Sequence, residues 1–185
     1  MELQDLLDLR NVNIGELENR FKNIAQLLFQ EYHIKKGNDI YDFIEIEFYY
    51  YTKGHEDIIT YPRTIDAGKW YFHPSGVDLS LHSDAESYGG ILIKSIKHGD
   101  EIINGPLKSS WELFDAFDAF KMKSDEYPLI VHKEKTEKTI LKRKRKITFN
   151  KDNDADKEKA KNRFKNDYSK FIDFLDAEYQ FYVKK

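Results

Sequence analysis

Apolar residues recur along the chain with two distinct periods, and those periods predict most of its elements. Across residues 16–32, Leu17, Phe21, Ile24, Leu27 and Leu28 stand 4, 3, 3 and 1 apart, which gathers them on one helical face. The turn signal Lys36-Gly37-Asn38-Asp39 leads into residues 40–49, where Ile44, Ile46 and Phe48 alternate with Glu45, Glu47 and Tyr49. That period of two predicts a strand with two carboxylates on one face. Residues 53–57 read as a loop. Strands are expected at 69–73 and 77–81, separated by Pro74-Ser75-Gly76, and at 90–96 after a double glycine. Ser109 or Ser110 caps an expected helix carrying Trp111, Leu113, Phe114, Phe117 and Phe120. Residues 139–149 are apolar at both ends and basic between, one long strand or two short ones. Residues 150–161 are polar and read as a solvated loop entering a last helix, where Phe164, Tyr168, Phe171 and Leu175 fall 4, 3 and 4 apart. A strand at 179–183 closes the chain.

Helices and strands do not alternate regularly, so the pattern predicts the α+β class, with a mainly antiparallel mixed sheet and flanking helices. The 185 residues carry no internal repeat or low-complexity linker, and 1–185 reads as a single domain long enough to bury a core. Composition sharpens this in three ways. The 27 aromatic residues (13 Phe, 12 Tyr, 2 Trp) must fill the core or line a site that wants flat rings. The absence of cysteine excludes disulfide scaffolds, thiolate zinc sites, iron–sulfur ligation and cysteine nucleophiles. The first residues have no basic segment followed by an apolar run, and no stretch approaches 18 apolar residues. The expectation is a soluble, cytoplasmic protein, monomeric, with no membrane partner.

The net charge of −3 hides a polarity. Between residues 133 and 146, eight Lys and Arg face only Glu134 and Glu137, a local +6 that leaves −9 for the rest of the chain. Such a segment is either a solvated edge strand whose lysines discourage pairing or the side on which an acidic body meets a polyanion.

The densest chemistry lies at Glu45-Ile46-Glu47-Phe48-Tyr49, with His55, Glu56 and Asp57 shortly after. Strand residues two apart share a face. If that face is solvent these are ordinary carboxylates; if it is interior, at least one needs a partner or works as an acid or base. A metal reading draws on Glu45, Glu47, His55 and Asp57, or on His73, Asp78 and His82 with the early carboxylates, but no HxH, HxxxH or HExxH spacing supports it. Ser75 lacks a nucleophile elbow, and Gly89-Gly90 and Gly105-Pro106 have neither familiar phosphate-loop spacing.

Taken in order, these residues resemble the mammalian-type methyladenine (alkyladenine) DNA glycosylases. That family's Glu-Thr-Glu-Ala-Tyr strand is similar to Glu45-Ile46-Glu47-Phe48-Tyr49, and its acidic loop and histidine to Gly54-His55-Glu56-Asp57. Arg63 precedes an aromatic strand, Lys69-Trp70-Tyr71-Phe72-His73-Pro74-Ser75-Gly76, as the family's arginine loop does. Val-Leu-Ile-Arg-Ala is matched by Ile91-Leu92-Ile93-Lys94-Ser95, and Gly-Pro-Gly-Lys-Leu by Gly105-Pro106-Leu107-Lys108. Late in the chain, Arg145-Lys146-Ile147-Thr148 and Gln180-Phe181-Tyr182-Val183 resemble the family's Pro-Arg-Ile-Gly and Arg-Phe-Tyr-Val. The resemblance covers most of the chain.

It implies an enzyme that flips a damaged purine from DNA into an aromatic pocket and hydrolyses its N-glycosidic bond without metal or cofactor. Glu47 is then the base that activates water, with Glu45 a second carboxylate. Tyr49, His55 and Phe72 hold the extruded base, and Arg63, Lys94, Lys142, Arg143, Lys144 and Arg145 contact phosphates. Departures accompany it: Ser75 stands where the family inserts a tyrosine wedge, Lys94 and Gln180 replace arginines, and the net charge is acidic. The same fold and cleft also fit a relative that binds a nucleotide, a single strand or a small molecule.

Overall fold

The computed structural model describes residues 2–115, 120, 127–147, 149 and 152–184. Short helix α1 (Leu3–Leu6) precedes α2 (Leu17–Gln30), and β1 (Tyr32–Lys36) turns back through Gly37-Asn38 into β2 (Asp39–Thr52). The β1–β2 turn needs a left-handed residue, and Gly37 supplies it at φ 59°. Then come β3 (His55–Glu56), β4 (Trp70–His73), β5 (Gly76–Ser80), β6 (Tyr88–His98), β7 (Glu101–Asn104) and α3 (Pro106–Leu113). The chain continues with β8 (Leu129–His132), β9 (Ile140–Arg143), α4 (Asp154–Phe164), α5 (Tyr168–Leu175) and β10 (Gln180–Val183).

These strands form one ten-stranded sheet in which every pairing is antiparallel. Its main path runs β4-β5-β6-β2-β1-β8. The long strand β2 is the axis: it pairs β6 along one side, and β1, β10 and β3 in succession along the other. The α+β class and the antiparallel sheet with flanking helices are as the pattern predicts.

Alternation along β2 decides its two faces. Ile46, Phe48 and Tyr50 enter the core, where Phe48 stacks on Phe21 of α2 at 4.5 Å, while Glu45, Glu47 and Tyr49 take the other side. The α2 stripe of Leu17, Phe21, Ile24, Ala25 and Leu28 is fully buried against this sheet. Burying each such large apolar side chain contributes about 1.5–3 kcal/mol. The β2–β6 ladder slips between Phe43 and Ile46, a bulge beside the two glutamates.

Four expectations change. The third helix begins at Pro106, not at a serine cap, because Gly105 at φ 116° and a proline at the first turn already start it. Ser109 and Ser110 therefore lie on its buried side, Trp111 is 66% exposed and Phe120 lies beyond its end; Phe117 is outside the described residues. The span 139–149 pairs only as β9, after which the backbone leaves the sheet to carry Arg145 inward; Thr148 and Asn150 are outside the described residues. The polar stretch expected as loop contains α4, whose Asn153 cap accepts from the Asp156 amide at 3.2 Å. Strands β1, β3, β7 and β8 add to those expected, β3 falling within the stretch 53–57 read as a loop.

Candidate functional site

A cleft of about 620 Å³ opens on the glutamate face of β2. Its floor is Glu47 and Tyr49 from β2 with Leu92 and Lys94 from β6. The β4–β5 turn and Asp78 form one wall, the β7–α3 junction another, and Lys146, Ile147 and Arg163 close the mouth.

Glu47 is 1% exposed, and three donors hold its carboxylate. Lys94 Nζ donates to Oε1 at 2.8 Å, the Lys146 backbone N–H to the same oxygen at 3.1 Å, and the Tyr49 hydroxyl to Oε2 at 2.8 Å. Burial, and then the neighbouring Glu47 charge, push the Tyr49 phenol well above its usual range, so it stays a donor. A carboxylate offers about four lone-pair positions, so one remains for a water or a developing cation.

Behind Tyr49 stands a second, wholly buried pair. Arg145 and Asp57 have side-chain exposures of 0% and 0%, joined by bonds of 2.6 and 3.2 Å. Arg145 also donates to the Phe48 and Phe174 carbonyls and lies 4.6 Å over the Tyr49 ring. Burial works against its charge, but Asp57 more than offsets that and raises its pKa. This pair braces the floor of the cleft from inside.

On the wall, Arg63 and Asp78 pair at 2.7 Å with 2% and 1% exposure, and Arg63 stacks 3.9 Å over Tyr71. His73 Nδ1 accepts the Ser75 amide at 3.2 Å, so its proton sits on Nε2, which donates to Asp78 Oδ1 at 2.9 Å. Gly90 is required beneath: a Cβ there would meet Asp78 Oδ2 at 2.6 Å and Arg63 at 2.9 Å. The double glycine thus serves close backbone approach, not phosphate binding.

The structure brings Glu47, Tyr49, Arg63 and Lys94 into the cleft lining, sets Arg145 behind Tyr49, and leaves the other expected residues outside the lining. His55 is interior: its Nδ1 meets the Tyr50 carbonyl at 2.8 Å, its Nε2 meets the Tyr179 hydroxyl at 3.0 Å, and Phe21 and Phe174 pack on its ring. Phe72 is 55% exposed and packs on Phe114, because alternation along β4 gives the cleft Tyr71's and His73's side instead. Glu45 is buried and taken by Gln180 and by Arg143 at 3.0 Å, outside the cleft. The metal quartet therefore does not assemble, since Glu45, His55 and Asp57 each have a different partner. Among the described residues no group of three or more His, Cys, Asp or Glu side chains is placed to hold a metal ion.

All six residues expected on phosphates pair with carboxylates. Arg63, Lys94 and Arg145 do so as above; Lys142 reaches Glu18 and Glu178, Arg143 reaches Glu45, and Lys144 reaches Asp176. Sequence reasoning placed no role on Tyr61 or Arg163, gave Lys108 only as part of a motif and Lys146 as part of a motif and of the basic segment, yet all four line the cleft. The signals for Lys108 and Lys146 were their places in those motifs. Arg163 carried no signal, being one polar residue on a polar helix.

The fold and site define an α+β protein whose open antiparallel sheet carries a polar cleft over one buried glutamate. Compared with protein-family models, with curated proteins and with solved structures, the chain matches none. Among the described residues no helix is long and apolar enough to cross a membrane.

Proposed function

We propose that the cleft is the active site of a DNA glycosylase-like hydrolase that removes an alkylated or otherwise modified purine, of the 3-methyladenine type, by cleaving its N-glycosidic bond. The observation that carries this reading is the buried Glu47 carboxylate, held by Lys94, Tyr49 and the Lys146 amide with one acceptor position free. As the bond to the purine lengthens, positive charge builds on the sugar. A fixed carboxylate at that point stabilises the charge and aligns water for attack. One preorganised group of this kind contributes on the order of 3–4 kcal/mol of barrier lowering. Tyr49 and Lys94 act as positioning residues. Tyr61 and the Ile59 and Ile147 side chains offer the leaving base a partly apolar wall.

A second reading, binding of a nucleotide without hydrolysis, draws on His55 and Phe72, which do not reach the cleft to sandwich a base. One comparison separates the two. Duplex DNA carrying a cationic pyrrolidine in place of a deoxyribose mimics the charged sugar, and a neutral tetrahydrofuran does not. The hydrolase reading expects the cationic analogue to bind at least tenfold tighter, and Glu47→Gln to abolish that preference. Equal binding of both analogues by the unmodified protein contradicts it.

A further inference from the structure

The cleft is lined by five cations, Arg63, Lys94, Lys108, Lys146 and Arg163, against two carboxylates, Glu47 and Asp78, in a chain whose net charge is −3. Two of the five are spent: Arg63 on Asp78 and Lys94 on Glu47. Among the described residues the other three form no ion pair, and they come from three separate segments, α3, the stretch after β9, and α4. Arg163 also sits in the last turn of α4, where a cation complements the helix dipole. All three are exposed, and three like charges without ion-pair partners at one cleft attract an anion into it.

We propose that Lys108, Lys146 and Arg163 form a phosphate subsite at the mouth of the cleft, and that its ligand is a nucleotide gripped by a phosphate of the reacting unit itself. The inference rests on reading the cleft as a nucleotide site and adds which group is recognised. Position supports it: the Lys146 backbone amide bonds Glu47, so its side chain starts one residue's breadth from the carboxylate. A phosphate held there belongs to the same nucleotide whose sugar lies over Glu47, not to a distant part of a duplex. A lysine pair with one arginine suits this, since lysine meets phosphate as a point charge and arginine as a planar fork.

Titration of the isotope-labelled protein by two-dimensional NMR, with deoxyadenosine, deoxyadenosine 5′-monophosphate, deoxyadenosine 3′-monophosphate and inorganic phosphate as probes, tests the subsite. At least one monophosphate is expected to bind tenfold or more tighter than deoxyadenosine, shifting the Lys108, Lys146 and Arg163 amides. Lys108→Gln and Arg163→Gln are each expected to lower that affinity at least threefold, while Lys144→Gln, at a paired lysine outside the cleft, leaves it unchanged. Nucleoside and both nucleotides binding alike overturns the subsite, as does inorganic phosphate binding as tightly as the nucleotides. If the nucleotides bind as expected while modified bases are not released from DNA, the subsite stands and the hydrolase reading fails. If bases are released and the phosphate makes no difference, the reverse holds.

Discussion

Glu45 and Glu47 project from the same face of β2, and their partners separate them chemically. Gln180 and Arg143 take Glu45 into the β9–β10 edge, whereas Glu47 keeps its unfilled acceptor position inside the cleft. The Glu-x-Glu-x-Tyr spacing made this shared face legible, but not the partners, which lie about 100 or more residues further on or across the sheet. His55 shows the same limit more sharply. Its sequence neighbourhood of loop, glutamate and aspartate suggests a site, and its actual surroundings are Phe21, Phe174 and Tyr179. Burial there lowers its pKa below the ordinary value of 6.5, so the folded protein resists a proton that the unfolded chain accepts. Stability is therefore complete above about pH 6.5 and falls as the pH drops from there toward the lowered value. Urea unfolding at pH 7.5 and 5.5 is expected to show lower stability at pH 5.5, with His55→Gln reducing the difference. An unchanged pH dependence in that variant would place the titrating group elsewhere.

Among elements, those with a strong period were the legible ones. The α2 stripe, the alternation of β2 and the apolar run of β6 each bury one or both faces, and burial is what leaves a pattern. Strands β1, β7 and β8 are four or five residues long, with half-exposed side chains and little pattern to read. The helix α4 was hidden for a different reason. Ala160 is its only buried residue, and its signals are a cap, acids in the first turn and bases in the last. With α5 it packs on a small cluster around Phe171 and Leu175 beside the cleft, joined to the main core through Phe174 of α5. Such a unit opens more readily than the sheet. Replacing its cap by Asn153→Ala is expected to cost about 1 kcal/mol, accelerating amide exchange in α4 roughly fivefold. Exchange in β2 and β6 should stay unchanged; equal acceleration throughout would make α4 part of the main cooperative unit.

At the scale of the whole molecule, the division into a basic segment and an acidic body is largely undone by folding. Lys133 and Lys138 return to Asp42, Lys135 to Glu31, Lys142 to Glu18 and Glu178, Arg143 to Glu45, Lys144 to Asp176 and Arg145 to Asp57. Most of these are surface pairs worth about 0–1 kcal/mol each, but the Arg145–Asp57 pair is buried, where losing one partner costs roughly 3–5 kcal/mol. The segment thus stitches the sheet edge to the body, and of its cations Lys146 lines the cleft. Composition could show the polarity and not its use, because neutralisation depends on which acidic residues the fold lays alongside. The 27 aromatics resolve similarly: Phe21, Phe48, Tyr179 and Phe181 pack the core together, while Tyr49 and Tyr61 face the cleft. Among the described residues, the cleft thus sets the buried Glu47 carboxylate beside three cations that form no ion pair.

That site is tested most directly by its chemistry. A duplex containing one 3-methyladenine, incubated with excess protein in EDTA, is followed by the free base released and the abasic site left behind. The unmodified protein is expected to release the base with a single-turnover rate about 10²–10³ times that of Glu47→Gln. Release that is equally fast in the two proteins, or that does not exceed the protein-free rate, contradicts the assignment of Glu47 as the catalytic residue.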